Sequence, residues 1–355
     1  MEQAPRRRAG VACPRAKSDD MQEGEHVSLP KQMTAAFITA TGSADRIQVG
    51  SLPLPCIGAT DVLVRMEASE VNHVDLFVRS GAYHTPIPFP FVIGRDLVGT
   101  VETVGDAVET FTPGDRVWSN SLGHAGRQGA FAEYAAVPVE RLYRLPAGVD
   151  PTDAAPVLHA AGTAYVGLVR HAQLLPGETV LVGAASGAVG TAVVQLASTM
   201  GARVIASASS GDEQWVRDCG AEVVVDGHAA DYYDQVQDAA PGGVDVWWDT
   251  SGRYEFDSSV PLLAHGGQVI AMAAMDAQPT LPVGLLYTRD ASVRGFAISN
   301  ASVDDLAAAA TSINQLLATG RLTGRVGATF HLAQSRQAHE ALESRAVRGR
   351  ILVIP

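Results

Sequence analysis

Two hydropathy textures divide the chain. From Met33 to about Ala155, short alternating runs (AAFIT, DVLVRMEAS, LVGTVETVG, DRVWS, AFAEYAAVP) are broken by glycine and proline. Alternation of period two with such punctuation predicts the short strands of a β-rich, barrel-like unit with irregular loops. From Ala155 onward, apolar strand-length runs alternate with segments of helical spacing; TVLVGA, ARVIASA, EVVVD, VDVWWDT and GQVIAMA are the strands. That alternation predicts a parallel sheet covered by helices on both faces. Beyond about Phe296, VDDLAAAATSINQLLATGRL and SRQAHEALESRAVRGRILVIP predict two helices and a last strand. The last strand suits the first unit better, so the chain is expected to cross back. No internal repeat or low-complexity segment interrupts this plan.

Residues 1–32 share neither texture: they are polar, carry both charge signs and show no apolar period. Such a segment has nothing to bury and is expected to be a disordered extension. The Arg6–Arg8 run is not followed by the apolar stretch of a targeting signal. A translation start at Met33 is the alternative reading. The expected organisation is then 1–32 extension, 33–155 β-rich domain completed by about 297–355, and 156–296 parallel-sheet domain.

Composition narrows the function classes. A length of 355 residues suits two domains. A net charge of −12 disfavours nucleic acid as a partner. No apolar run approaches the ~20 residues of a membrane span. Cys13, Cys56 and Cys219 have unrelated spacings, which suits neither a metal cluster nor a disulfide framework and points to the reducing cytoplasm.

The stretch VLVGAASGAVGTAVVQLASTMGARVIASASS carries the first chemistry. Ala185-x-Gly187-x-x-Gly190 lies between a predicted strand and a helix, a dinucleotide fingerprint with alanine for the first glycine. Small residues there let the backbone approach a pyrophosphate at the positive end of the helix. An NAD-binding unit carries a carboxylate roughly 20 residues on, for the ribose hydroxyls. Here the second strand ends in Ser207, Ser209 and Ser210, which suit a 2′-phosphate, and NADP (NADPH) is the expected cofactor. Asp212 and Glu213, just beyond, would repel that phosphate.

Five stretches then carry a resemblance: VNHVDLFVRSGAY, IGRDLVGTVETVGDAVETFTPGDRVW, AAGTAYVGL, the Ala-x-x-Gly-x-x-Gly loop from Ala184, and AHEALESRAVRGRILVIP. Over Met33 to Pro355 the chain resembles the zinc-free medium-chain dehydrogenase/reductases of the NADPH:quinone reductase, zeta-crystallin-like group. The resemblance implies an α/β fold with a GroES-like β-rich catalytic domain and a Rossmann doubly wound parallel-sheet domain. It also implies a cofactor held between the two and a homodimer.

At the positions where zinc-dependent relatives carry ligands stand Asn72, Arg95 and His159. An amide and a cation cannot hold zinc, and one histidine is no site. The structural-zinc region holds only SNSLGHAGRQGAF. Metal activation of an alcohol is therefore not expected, and a quinone or activated enone becomes the expected acceptor. Asn72 and Asp75 resemble the polar pair that faces the nicotinamide, with an internal ion pair to Arg79 or Arg95 as the alternative for Asp75. Phe77 stands where relatives often have tyrosine, and His73 where many have proline. A neutral imidazole at 73 could replace the missing hydroxyl.

By position, the resemblance places Thr163 beside the nicotinamide, Ala188 and Val189 at the pyrophosphate, and Thr250 near the ribose. It places Met272, Ala273, Gly295 and Phe296 around the nicotinamide pocket. The family's lysine after the second strand is replaced near Glu213 and Gln214, and its tyrosine after the third strand by Gly227. Arg345 matches the C-terminal phosphate-binding arginine. Two alternatives stay open: an NADPH-dependent reductase of enones or alkenals, and a low-turnover NADPH-binding, crystallin-like protein.

Overall fold

The structure is a computed structural model in which residues 29–355 are described. The predicted disordered extension falls on residues 1–28, outside the described residues, apart from its last four. Of these, Gln32 already opens the strand Gln32–Ile38 and pairs with Pro53.

The β-rich part is built around the strand Asp61–Glu70. It pairs antiparallel with Leu97–Val104 on one side and Tyr134–Pro138 on the other. Its two-sided burial explains why Val62, Leu63, Val64 and Met66 form a nearly continuous apolar run. The last strand, Arg350–Ile354, adds antiparallel to its end, with Leu352 opposite Glu70. The chain does cross back, and Ile351 and Val353 join Val62, Val64, Met66 and Phe131 in one apolar core.

The second sheet has six strands in the order Val223–Asp226, Arg203–Ala208, Thr179–Gly183, Val244–Asp249, Leu263–Ala271, Ser292–Gly295. Every neighbouring pair is parallel. Five of these strands coincide with the apolar runs of the sequence; the sixth, Ser292–Gly295, is a four-residue edge strand that buries no residue fully and so carries no such run. The helix Val303–Ala318 buries Ala309, Ala310, Ile313 and Leu317 in the same core as Val180 and Val182. Leu322 and Leu352 of the returning chain belong to that core too, as do Ala68, Val98 and Trp118 of the β-rich part.

Strand order reverses between Thr179–Gly183 and Val244–Asp249, with Gly183 opposite Asp249. In open parallel sheets a ligand crevice forms at the carboxyl ends of the strands, at such a reversal. Among the described residues no helix is long and apolar enough to cross a membrane.

Candidate active site

A cleft of about 660 Å³ opens at that reversal, within the range of cofactor and ligand sites. One wall is the fingerprint loop from Gly183 through Ala184, Ser186, Gly187 and Ala188. The opposite wall is Glu70, Asn72 and His73 with the C-terminal Arg345, Gly349 and Arg350.

The loop's geometry explains its small residues. Ala184 adopts φ 52°, a left-handed conformation for which glycine is the usual choice. A Cβ on Gly190 would lie 2.5 Å from the Ala184 carbonyl oxygen and 2.8 Å from the Ala185 Cα. Glycine at 190 is thus what lets the helix Ala188–Thr199 start against the strand. Ala185 and Gly190 are buried structural members of the loop, while Gly187 and Ala188 line the cleft. The Ala185 amide donates to the Ser207 carbonyl, tying the loop to the second strand.

At the second strand's end, Ser207 and Ser209 both line the cleft. Ser207 is hydrogen-bonded with Tyr232, a tyrosine that stands five residues beyond the Gly227 found at the family position. A Cβ on Gly227 would approach the Ser207 hydroxyl, so a larger residue there would require that side chain to turn away. Asp212 does not stand free to repel a phosphate: its carboxylate accepts from Arg325 at 2.9 Å and from Arg348 at 2.7 Å. Thr250 lines the cleft and donates its hydroxyl to the Gly183 carbonyl at 2.6 Å.

On the other wall, Asn72 precedes the helix His73–Ser80 and donates its side-chain amide to Asp96 at 2.9 Å. Asp75 is buried within the charge influence of Arg95, while Arg79 is paired elsewhere. The Asp75 side chain turns back into the protein, outside the cleft lining, and accepts from the Asn72 backbone N–H at 2.7 Å. Burial pushes its carboxyl up to about 7, against the Asn72 hydrogen bond and the Arg95 charge. Arg79 pairs instead with Glu343 and with the His339 ring. Arg95 is buried and donates to the Leu122 carbonyl and the Ser299 hydroxyl. His159 lies 3.7 Å from Asp96, and burial, then the Arg95 charge, holds its imidazole down at about 3.

This donor set does not fit a catalytic metal. An amide already given to Asp96 and a guanidinium occupy two of the positions, and among the described residues no cluster of His, Cys, Asp and Glu suits a metal. His73 projects along the cleft, where desolvation, then the Arg345 and Arg350 charges, keeps its imidazole below the usual histidine range.

Comparison with known proteins agrees with this geometry. A family model described as alcohol dehydrogenase GroES-like domain matches residues 58–147, and one described as zinc-binding dehydrogenase matches residues 188–315. Quinone oxidoreductase of Sus scrofa is 29% identical over 328 residues, covering 91% of this chain and 98% of that protein. Acryloyl-coenzyme A reductase of Metallosphaera sedula is 30% identical, with 85% and 93% covered. A solved mycobacterial quinone oxidoreductase superimposes with a TM-score of 0.79 at 30% identity, covering 91% of this chain and 100% of that one. The chain belongs to the medium-chain dehydrogenase/reductase superfamily, in its quinone oxidoreductase group. It is an oxidoreductase with the superfamily's GroES-like and Rossmann parts.

Several residues that the superfamily pattern places near the nicotinamide lie outside the lining of this cleft. Thr163 is buried in the helix Leu158–Tyr165 and returns its hydroxyl to the His159 carbonyl at 2.9 Å. Met272 and Ala273 follow the fifth strand, where Ala273 exchanges hydrogen bonds with the Tyr254 hydroxyl. Gly295 ends the edge strand, and Phe296 stacks on His171 with ring centroids 4.6 Å apart. Val189 is half-buried in the first turn of its helix.

Other cleft residues escaped the sequence reading. Asp249 ends the fourth strand and accepts from the backbone N–H groups of Ser251 and Gly252. Its place at a strand's carboxyl end was a readable signal. Glu70 and Arg350 had a weaker one, a charged residue at the end of an apolar strand and another at the start of one. They meet across the wall: Arg350 donates to Glu70 at 3.2 Å and to the Ala188 carbonyl at 2.6 Å.

Proposed function

We propose that this chain is an NADPH-dependent quinone reductase that transfers hydride to a quinone-type acceptor without a metal ion. The observation that carries the reading is the cleft. It joins the fingerprint loop and the serine-ended second strand to a wall bearing Asn72, His73 and the cationic Arg345.

NADPH, when bound, supplies the hydride. Gly187 and Ala188 would receive the pyrophosphate at the helix start, as the small residues and the N–H groups there allow. Ser207, Ser209 and Arg345 would receive the 2′-phosphate, since a guanidinium matches phosphate geometry. Asn72, fixed by Asp96, orders the ring or the acceptor oxygen. His73, whose imidazole is shifted toward its neutral form by desolvation and the Arg345 and Arg350 charges, would offer a hydrogen bond at the acceptor. A mycobacterial structure with a TM-score of 0.79 and 30% identity was solved as a complex with NADPH, which supports the cofactor assignment.

The test is steady-state oxidation of NADPH and NADH with a panel of quinones and enones. Quinone turnover with NADPH preferred is the expected result. A charge-assisted hydrogen bond contributes roughly 1.5–3 kcal/mol, so Arg345→Ala should weaken NADPH binding by about tenfold to a hundredfold and leave NADH unchanged. Equal weakening of both cofactors would refute the role given to Arg345. Chelator-washed protein should keep its full turnover, and loss restored by zinc would overturn the metal-free mechanism.

Reduction of activated double bonds is the second reading, favoured by the likeness to an acryloyl-coenzyme A reductase. Faster turnover of enones than of quinones would select it.

A dimer completes the proposal. The edge strand Ser292–Gly295 has an open side, and the preceding helix Val283–Tyr287 exposes Val283, Leu285 and Tyr287. Light scattering should give twice the monomer mass, and Leu285→Glu should return a monomer.

A further inference from the structure

Just behind the serine end of the cleft lies an anion of the protein's own: Ser209 and Arg325 line the cleft, and Asp212 with Arg348 lies behind them. Asp212 is 7% exposed, although it follows a strand end that opens on the cleft. Its Oδ1 receives Arg325 at 2.9 Å and Arg348 at 2.7 Å, and Ser186 is a further partner. Burial pushes the Asp212 carboxyl up, but hydrogen bonds from Arg348, Arg325 and Ser186 outweigh it and hold it below the usual carboxylate range. The Ser209 hydroxyl lies 3.5 Å from its other oxygen.

The two arginines are placed by separate features. Arg325 lines the cleft with its guanidinium over the Trp215 ring, 5.4 Å from the centroid. Arg348 comes from the turn before the last strand and lies against Gly211, where a Cβ would meet its terminal nitrogen at 2.9 Å. Two guanidinium groups converging on one oxygen beside two serines make a receptor suited to a doubly charged phosphate oxygen set. Here that receptor already holds a carboxylate.

We propose that Asp212 is a tethered anion that occupies the Arg325–Arg348 fork and so limits how strongly the cleft favours a 2′-phosphorylated dinucleotide. This rests on the dinucleotide reading above and adds a specificity-determining residue to it. With Asp212 in place, one of the fork's two charges is cancelled and donors from both arginines are occupied, so the phosphate is left mainly to Arg345 and the serines. With its charge removed, Arg325 in the lining and Arg348 behind it lose their internal anion, and their charge is free to act on an incoming phosphate. An unphosphorylated ribose gains nothing from that exchange.

The test is calorimetric titration of purified protein with NADPH, NADH, 2′,5′-ADP and 5′-AMP, for wild type, Asp212→Asn and Asp212→Asn/Arg348→Ala. In Asp212→Asn, NADPH and 2′,5′-ADP should bind at least about tenfold more tightly, as one added charge-assisted bond provides, while NADH and 5′-AMP stay unchanged. Adding Arg348→Ala should remove most of that gain. Melting temperatures of the ligand-free proteins confirm that each variant is folded. If it is not, Asp212→Ser, which keeps a hydrogen-bonding group, is compared in the same way.

If Asp212→Asn weakens NADH and leaves NADPH unchanged, Asp212 is a ribose ligand and the proposal is wrong. An unaltered NADPH-to-NADH ratio also overturns it, with the dinucleotide reading intact. If wild type binds neither dinucleotide, that reading falls and the proposal falls with it.

Discussion

Gly190→Val is expected to weaken NADPH and NADH alike and to slow turnover by about a hundredfold, the loss that a ~1 Å misplacement of bound groups brings. The reason is local and steric. A Cβ at 190 meets backbone atoms, the Ala184 oxygen at 2.5 Å and the Ala185 Cα at 2.8 Å, which cannot rotate away as a side chain would. Either the helix Ala188–Thr199 lifts from the strand or the loop moves, and both displace the N–H groups meant for the pyrophosphate. Overpacking of this kind costs about 1–3 kcal/mol, so the protein should remain folded with a lowered melting temperature. Gly242→Ala is the control. Nothing lies within 4 Å of its Cβ position, so both stability and dinucleotide affinity should stay at wild-type values. Normal dinucleotide affinity in Gly190→Val would show that the loop is only a turn.

The fold was legible because its signals are periodic. Two-sided burial wrote VWW, Val246–Trp248, and VLV, Val180–Val182, as apolar runs, and small residues at 187 and 190 marked the loop between strand and helix. The strand Ser292–Gly295 was not legible, because four residues at a half-exposed edge leave no period to detect. The site was readable where one residue type answers one local need, as at Gly187, Gly190 and the serines. It was unreadable where partners come from distant parts of the chain. Asp212 meets Arg325 and Arg348 across more than a hundred residues, so a carboxylate that looked repulsive in sequence is neutralised in space. Asp75 shows the ambiguity of local spacing: three residues after Asn72 suits a helix cap as well as a catalytic pair, and its carboxylate accepts from the Asn72 backbone N–H.

The same long-range assembly gives the enzyme an alkaline weakness centred on Glu70. Burial pushes its carboxyl up to about 8, with Arg350 opposing the shift and Asp75 adding to it. Asp96 is also held well above the carboxylate range, by burial and then by Glu70 itself, while Asn72 is the neutral neighbour between them. Because the folded value exceeds the unfolded one, the folded state binds the extra proton. The resulting stability is fully present below about pH 4.5 and is lost as pH rises through about 8. Between pH 7 and pH 8 the loss from Glu70 is about 1 kcal/mol, because the folded carboxyl goes from about nine-tenths to half protonated over that interval. Three buried or half-buried histidines work on the acid side with the opposite sign. Burial holds His159 and His339 at about 3 and His124 at about 4, so they stay neutral in the fold and reduce stability as pH falls below about 6.5. Glu70→Gln keeps the shape and the acceptor for Arg350 but has no proton to lose. Melting temperature measured against pH should therefore match wild type near pH 4.5 and exceed it increasingly from pH 7 to 8.5. His339→Gln should leave that alkaline limb untouched and flatten only the acid one. Parallel wild-type and Glu70→Gln curves above pH 7 would show that Glu70 is ionised throughout and held by Arg350 as an ordinary ion pair.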